Sequence, residues 1–274
     1  APMWGGIEPL WGFGTPIIGP DPQRVATDLA AVLAERSDWT TIFLSGMPLS
    51  PHRSVPSDET APESAGRTAK PDPTVTLGIA FALSSLGQVG FAEGITRQIA
   101  DIGDGYEQWL ARRPSRFRRN LRQAGGKAEE AGVTIENASS DPALFDRLMA
   151  IENRSWKGRE GSGITSVEMS AMYRMMIARL GDRGRLHAHV AGIEGRDVGY
   201  ILGGVRGRRY RGLQISYVDE ARKLSIGNLL QDHQLRLLGS ENLADVYDLG
   251  MDFDYKRRWA DRAETSLTIV VTRR

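Results

Sequence analysis

Residues 210–239, YRGLQISYVDEARKLSIGNLLQDHQLRLLG, decide the fold. Tyr210 to Val218 reads as a strand and Ile226 to Leu238 as a helix that ends at Gly239, with the turn DEARKLSIG between them. A strand that runs through a tight turn into a helix N-terminus presents free backbone N–H groups at the positive end of the helix dipole. That is an anion site, well suited to a pyrophosphate. The turn also carries the right side chains. Arg222 supplies a cation, and Ser225, Gly227 and Asn228 are small enough to let a ligand approach the backbone.

Upstream, two more strand-like runs, Leu186–Ile193 and Val198–Val205, are separated by EGRD, and RGRR leads into Tyr210. The three form an antiparallel meander with Gly-containing connections. Before it stand a Met-rich helix, Val167–Leu180, closed by Gly181, and a helix from Pro142 to Trp156 led by Asp141. The spacing of Met169, Met172, Met175 and Met176 makes them core or interface residues. Val133–Asn137 is a short strand. Tyr106–Ala131 is a helix in two pieces split by Pro114, with Ser115 as N-cap. There Phe117, Leu121 and Ala124 share one face, and Arg116, Arg118, Arg119 and Arg122 occupy the rest. Downstream come a strand, Ala244–Leu249, the segment GMDFDYKRRW with a short helix, and a closing strand, Thr265–Thr272. A meander followed by a βαβ-like step gives a mixed sheet with helices on both faces.

The first hundred residues are less regular. Pro22–Arg36 is predicted helical, and Thr40–Ser45 and Thr74–Leu83 are predicted strands. Residues 46–73, rich in Pro, Ser, Thr and acids, have too few large apolar groups to offset their ordering entropy and read as a mobile loop. The bulk composition removes several function classes. A net charge of +1 leaves no global field for nucleic acid or anionic lipid, so any such attraction must be local. Without cysteine there is no disulfide framework, thiolate nucleophile or Cys-based zinc site. His187 and His189 face one side of a strand and lack a third ligand, so no metal is expected. No run of eighteen apolar residues occurs and the start lacks signal-peptide character, which fits a cytoplasmic protein. The absent initiator Met suggests a processed or truncated N-terminus.

Arg222 to Gly227 (RKLSIG) resembles the Q/R-x-x-G-x-G/A acyl-CoA loop of GNAT acetyltransferases, with Ser225 in place of the first Gly. Residues 142–259 more narrowly resemble the FemAB/CelD-like, tandem-GNAT branch. The match rests on Glu152 with Ser155, Trp156 and Lys157, on Ser225-Ile226-Gly227, and on Asp248, Gly250, Tyr255, Lys256 and Trp259, preceded by the Arg116–Arg122 stretch. The resemblance implies an α/β (α+β) chain with a GNAT fold, a mixed and mostly antiparallel twisted sheet flanked by helices. Residues 1–104 would be a degenerate or partial first lobe containing loop 46–73, and 105–274 the acyltransferase domain.

It also implies N-acyl transfer, acetyl above all, from acyl-CoA to an amine of a sugar, peptide or cell-envelope precursor, by direct attack in a ternary complex. The donor would lie on the backbone of Ile215, Ser216, Tyr217 and Val218 and on Arg222, Lys223, Leu224, Ser225, Ile226, Gly227 and Asn228. Lys256 would offset oxyanion charge and Tyr255 would protonate the leaving thiolate, unless they are a solvated lysine and a packed aromatic. Glu152 or Asp252 would take the amine's proton. Trp156 and Trp259 are core aromatics or walls of the acceptor groove. Two alternatives stay open. One is an aminoacyl-tRNA donor, as FemAB relatives use. The other is a non-catalytic GNAT-like module that binds phosphates or nucleic acid through the arginine helix.

Overall fold

A computed structural model describes residues 3–5, 21–47, 74–161 and 163–273. The chain forms two compact units: residues 1–98 with 251–253 and 263–274, and residues 99–250 with 254–262.

In the first unit the strand order is β1 (Met3–Gly5), β2 (Thr41–Met47), β9 (Arg262–Arg273), β3 (Gly87–Asp101). β1 lies parallel to β2, which runs antiparallel to β9. Helix α1 (Pro22–Ala34) starts where Asp21 caps the amides of Gln23 and Arg24, and it packs on α2 (Thr74–Leu83). Residues 74–83 are therefore a helix and not the predicted strand. Thr76, Ile79, Ala80 and Leu83 are buried at helical spacing, but Leu77 and Phe81 on the outer face are apolar too and mask the period. The strand that follows, β3, has no counterpart in the sequence reading, because its Gly, Gln, Glu and Thr residues interrupt any alternation. Residues 48–73, most of the expected loop, lie outside the described residues.

In the second unit the strand order is β8 (Val246–Met251), β7 (Arg209–Tyr217), β6 (Arg196–Arg206), β5 (Leu186–Ile193), β4 (Thr134–Asn137). β4 to β7 pair antiparallel and β7 pairs parallel with β8, which is the expected mixed sheet. Helices cover both faces. His189 and Ile201 are cross-strand partners, and His189 meets Gln234 of α8 (Ile226–Ser240). Tyr200, one residue along β6, points the other way and meets Glu152 of α5 (Leu144–Asn153).

Several boundaries differ from expectation. Ser115 is not a cap: α4 (Ser115–Glu130) follows α3 (Tyr106–Ala111), and Pro114 occupies the N-cap position without a side-chain bond. The single helix expected over 142–156 is two helices. Ser155 is extended, its Oγ accepts the Gly158 amide at 3.2 Å, and α6 (Trp156–Arg159) begins anew. A side chain at position 158 would collide with the Glu152 carbonyl oxygen, so only glycine allows this turn. Gly181 is the last residue of α7 (Val167–Gly181), as expected, whereas Gly239 lies inside α8 and does not close it. The turn before α8 is a 3-10 turn, Asp219–Leu224, and Ser225 then takes the left-handed conformation at φ 56°.

The core on the α8 face is aromatic. Trp109 and Trp259 stack at 5.9 Å with an interplanar angle of 12°, and Phe117 sets its edge against both. Trp259 is 1% exposed, so of its two readings the structure takes the core one. His189 is equally enclosed, with the His233 ring 4.7 Å away.

Three outcomes follow from these contacts. Trp259→Ala should lower unfolding free energy by about 3–5 kcal/mol in urea titrations. Ser225→Gly relieves a conformation unfavourable to an L-residue and should raise it by about 1 kcal/mol. Burial, reinforced by His233, pushes His189 down to about 4. The folded state therefore resists protonation that the unfolded chain accepts below its ordinary value of about 6.5. Stability should fall as pH drops from 7.5, by on the order of 2 kcal/mol at pH 5, and His189→Gln should flatten that slope.

Candidate active site

β7 and β8 stay together only for Arg209↔Val246, Tyr210↔Tyr247 and Arg211↔Asp248. Beyond Arg211 no pairing joins them. At the same point β7 carries an extra residue against β6, since Leu202 faces Gln214 while the neighbouring Gly203 faces Gly212. Leu213 is thus a bulge, which bends the strand where the pair parts.

The parting exposes one edge of β7. The Val218 amide donates to the Val198 carbonyl of β6 at 2.9 Å, so residues of this parity turn their backbone groups inward. Leu213, Ile215 and Tyr217 have the opposite parity and face the opened edge. Of the four residues expected to offer backbone to a donor, Ile215 and Tyr217 are therefore in position, while Ser216 and Val218 face β6. The edge is also partly occupied. Tyr173 of α7 donates its hydroxyl to the Leu213 carbonyl at 3.0 Å, and Lys157 of α6 donates its amino group to the Ile215 carbonyl at 2.6 Å. Burial lowers the pKa of Lys157, with Glu152 opposing the shift.

Glu152 is fully buried behind this edge. Its Oε1 accepts from Gln214 Nε2 at 3.0 Å and from the Ile164 amide at 3.3 Å, and its Oε2 accepts from the Tyr200 hydroxyl at 3.2 Å. Three donors converge on a carboxylate without solvent access, and a group so held braces the β6–β7 face. Gln214 and Tyr200 in this network were not singled out by sequence. Their signal was no more than a polar residue and a tyrosine within strand runs.

At the vertex, the Asp248 carboxylate is 1% exposed and accepts from Arg211, from Arg209 at 3.2 Å and from the Gly250 amide at 3.0 Å. Gly250 has φ 87°, and a Cβ there would lie 3.2 Å from Lys256 Nζ. The Lys256 amino group, carried by α9 (Asp254–Arg257), thus rests on the chain just past the last β7–β8 pair. Tyr255 is next to it, with its ring centroid 5.8 Å from that nitrogen. Partial burial and the neighbouring Tyr217 push the Tyr255 phenol up to about 12, so it keeps its proton at neutral pH.

The Tyr217 ring also lies against Gly227 at the start of α8, where an added Cβ would meet it at 3.1 Å. The left-handed Ser225 turns its carbonyl to the amides of Asn228 and Leu229, and its side chain does not cap the helix. Among the described residues the amides of Ile226 and Gly227 have no acceptor. Arg222 and Lys223 are exposed on the last turn before them, while Ile226 is buried and Leu224 half-buried. The second unit thus brings together Ile215, Tyr217, the α8 start, Tyr255 and Lys256. Trp156 is 41% exposed on α6. Asp252 belongs to the first unit, where Gln98 donates to it at 2.9 Å.

Comparison with known proteins bears on the fold and the family. No curated protein matches the sequence. Among solved structures, L-PGS from Bacillus licheniformis superposes with a TM-score of 0.59 at 12% identity, over 90% of this chain and 72% of that one. FemX gives 0.58 at 13%, over 91% and 76%. A tandem GNAT protein from the clavulanic acid biosynthesis pathway gives 0.50 at 14%, over 92% and 69%. At these identities the likeness is one of fold. The family model described as acetyltransferase (GNAT) domain matches residues 115–257, which hold the opened β7 edge, the α8 start and Lys256, and the chain belongs to that family.

Proposed function

We propose that this chain transfers an acyl group, acetyl above all, from acyl-CoA to the amine of a sugar, peptide or cell-envelope precursor. The observation that carries the reading is the parted β7–β8 pair, with Lys256 at its vertex and free amides at the start of α8. The donor pyrophosphate would lie on the amides of Ile226 and Gly227 beside Arg222 and Lys223. Its thioester would then reach the β7 edge. The amine attacks the carbonyl carbon, a C–N bond forms, and the C–S bond breaks. The Ile215 or Tyr217 amide and the Lys256 ammonium meet the developing oxyanion. Tyr255 gives its proton to the departing thiolate. Glu152 is held by three donors and supports Gln214 and β7, and the amine's proton leaves to solvent.

A second reading, an aminoacyl-tRNA donor, draws on the Lys157 bond to the Ile215 carbonyl. A pantetheine arm would seek that acceptor, whereas an aminoacyl ester does not need it.

Turnover with acetyl-CoA and a panel of amino sugars and peptidyl amines, followed by thiol release, tests the first reading. Lys256→Ala should lower kcat by about 10²–10³-fold, with little change in donor binding by calorimetry. No heat and no thiol release with any CoA ester, alongside transfer from an aminoacylated RNA minihelix, would shift the assignment to the second.

A further inference from the structure

Helix α7 turns one face to the core and leaves another uncovered. Tyr173 points inward to the Leu213 carbonyl, whereas Met172, Met175, Met176, Arg179, Leu180 and Arg183 line a concavity of about 240 Å³ on the outside. Met175 is 49% exposed, and Met172 and Met176 are half-buried. The proposed transfer chemistry uses none of them. Methionine is flexible and polarisable, so a row of methionines open to solvent suits a surface that another surface covers.

The charges at the two ends of the row identify what covers it. Glu168, Met172, Met175 and Arg179 follow one another at spacings of four, three and four, which places them on one stripe of the helix. The spacing is the same read from either end, and the chemistry inverts: acid, Met, Met, base. A second α7 laid antiparallel on the first therefore sets Glu168 against Arg179 and Met172 against Met175, twice over, about a two-fold axis. Arg183 is one turn further along and adds a second cation for the Glu168 of the other copy. At this C-terminal end Arg179 and Arg183 outnumber Asp182. Ala171 and Ala178, exposed beside the stripe, leave room for a second helix to lie close.

The pairing cannot form within one chain, because eleven residues of helix hold Glu168 and Arg179 roughly 16 Å apart. Among the described residues Glu168, Arg179 and Arg183 make no ion pair. Arg174 on the same helix is occupied, by Asp146 at 3.5 Å and by the Phe145 ring at 4.0 Å. An acid in the first turn and a base in the last suit the dipole of a lone helix too. The exposed methionines between them do not, and an antiparallel copy accounts for both. We infer that the chain self-associates as a two-fold dimer through α7. Met172 and Met175 of each copy lie at its centre, and Glu168 of one copy meets Arg179 and Arg183 of the other.

Sedimentation velocity of the full chain tests this. The wild type should pass from monomer to dimer as its concentration rises to about 100 μM, the range of a small interface. Glu168→Arg, and separately Arg179→Glu combined with Arg183→Glu, place like charges across the axis and should each weaken association by about tenfold or more. An equimolar mixture of these two variants restores opposite charges at both ends and should associate again as a heterodimer, which misfolded variants would not do. A wild type that stays monomeric, variants that dimerise as tightly as the wild type, or a mixture that stays monomeric would overturn the inference. Vesicles of equal parts phosphatidylserine and phosphatidylcholine test the other occupant, an anionic lipid surface. Glu168→Arg adds positive charge, so it should strengthen lipid binding while it breaks a dimer. A monomeric wild type that binds these vesicles, with tighter binding in Glu168→Arg, would replace the second copy with lipid.

Discussion

The Asp248 carboxylate holds the second unit in its working shape. It is enclosed, bound by two arginines from β7 and by the Gly250 amide, and it belongs to the last residue pair that β7 and β8 share. A buried charge is tolerated only when its partners are in place, and removal of one leaves the others costly. The strands are therefore pinned on one side of this residue and free to diverge on the other. The bulge at Leu213, the edge amides of Ile215 and Tyr217 and the seat of Lys256 all follow from where the pinning stops. Glu152 plays a matching part behind β7, so two enclosed carboxylates fix the face and the vertex of one opening.

The strand–turn–helix unit was legible in the sequence because its residues are locally determined. Small residues at 225, 227 and 228 suit a close backbone approach, and the meander strands alternate against Gly-containing turns. The left-handed Ser225 explains why the motif it departs from carries glycine there. Residues 74–83 misled for the opposite reason. Leu77 and Phe81 put apolar groups on the outer face of α2, and a helix that is apolar all round shows no period in its sequence. β3 was silent because its partners are distant in the chain: the Ile95 amide donates to Ser266 Oγ of β9, and that hydroxyl donates to the Ile95 carbonyl.

The site was legible in part. Lys256, Tyr255 and the α8 start were within reach of pattern and resemblance. The division of labour along β7 was not, since which edge a residue faces depends on register, and register depends on a bulge that one residue creates. Glu152 shows the same limit. Its motif position suggested a base, yet burial and three donors are tertiary facts that spacing along a helix does not encode.

The bond from Lys157 to the Ile215 carbonyl ties the occupancy of the β7 edge to a proton. That carbonyl is one of the contacts favouring the ammonium form in a place where burial disfavours it. A ligand that claims the same oxygen removes a contact from an already destabilised charge and biases the lysine toward the free amine. Ligand entry then costs the lysine a contact in a place where burial already disfavours its charge.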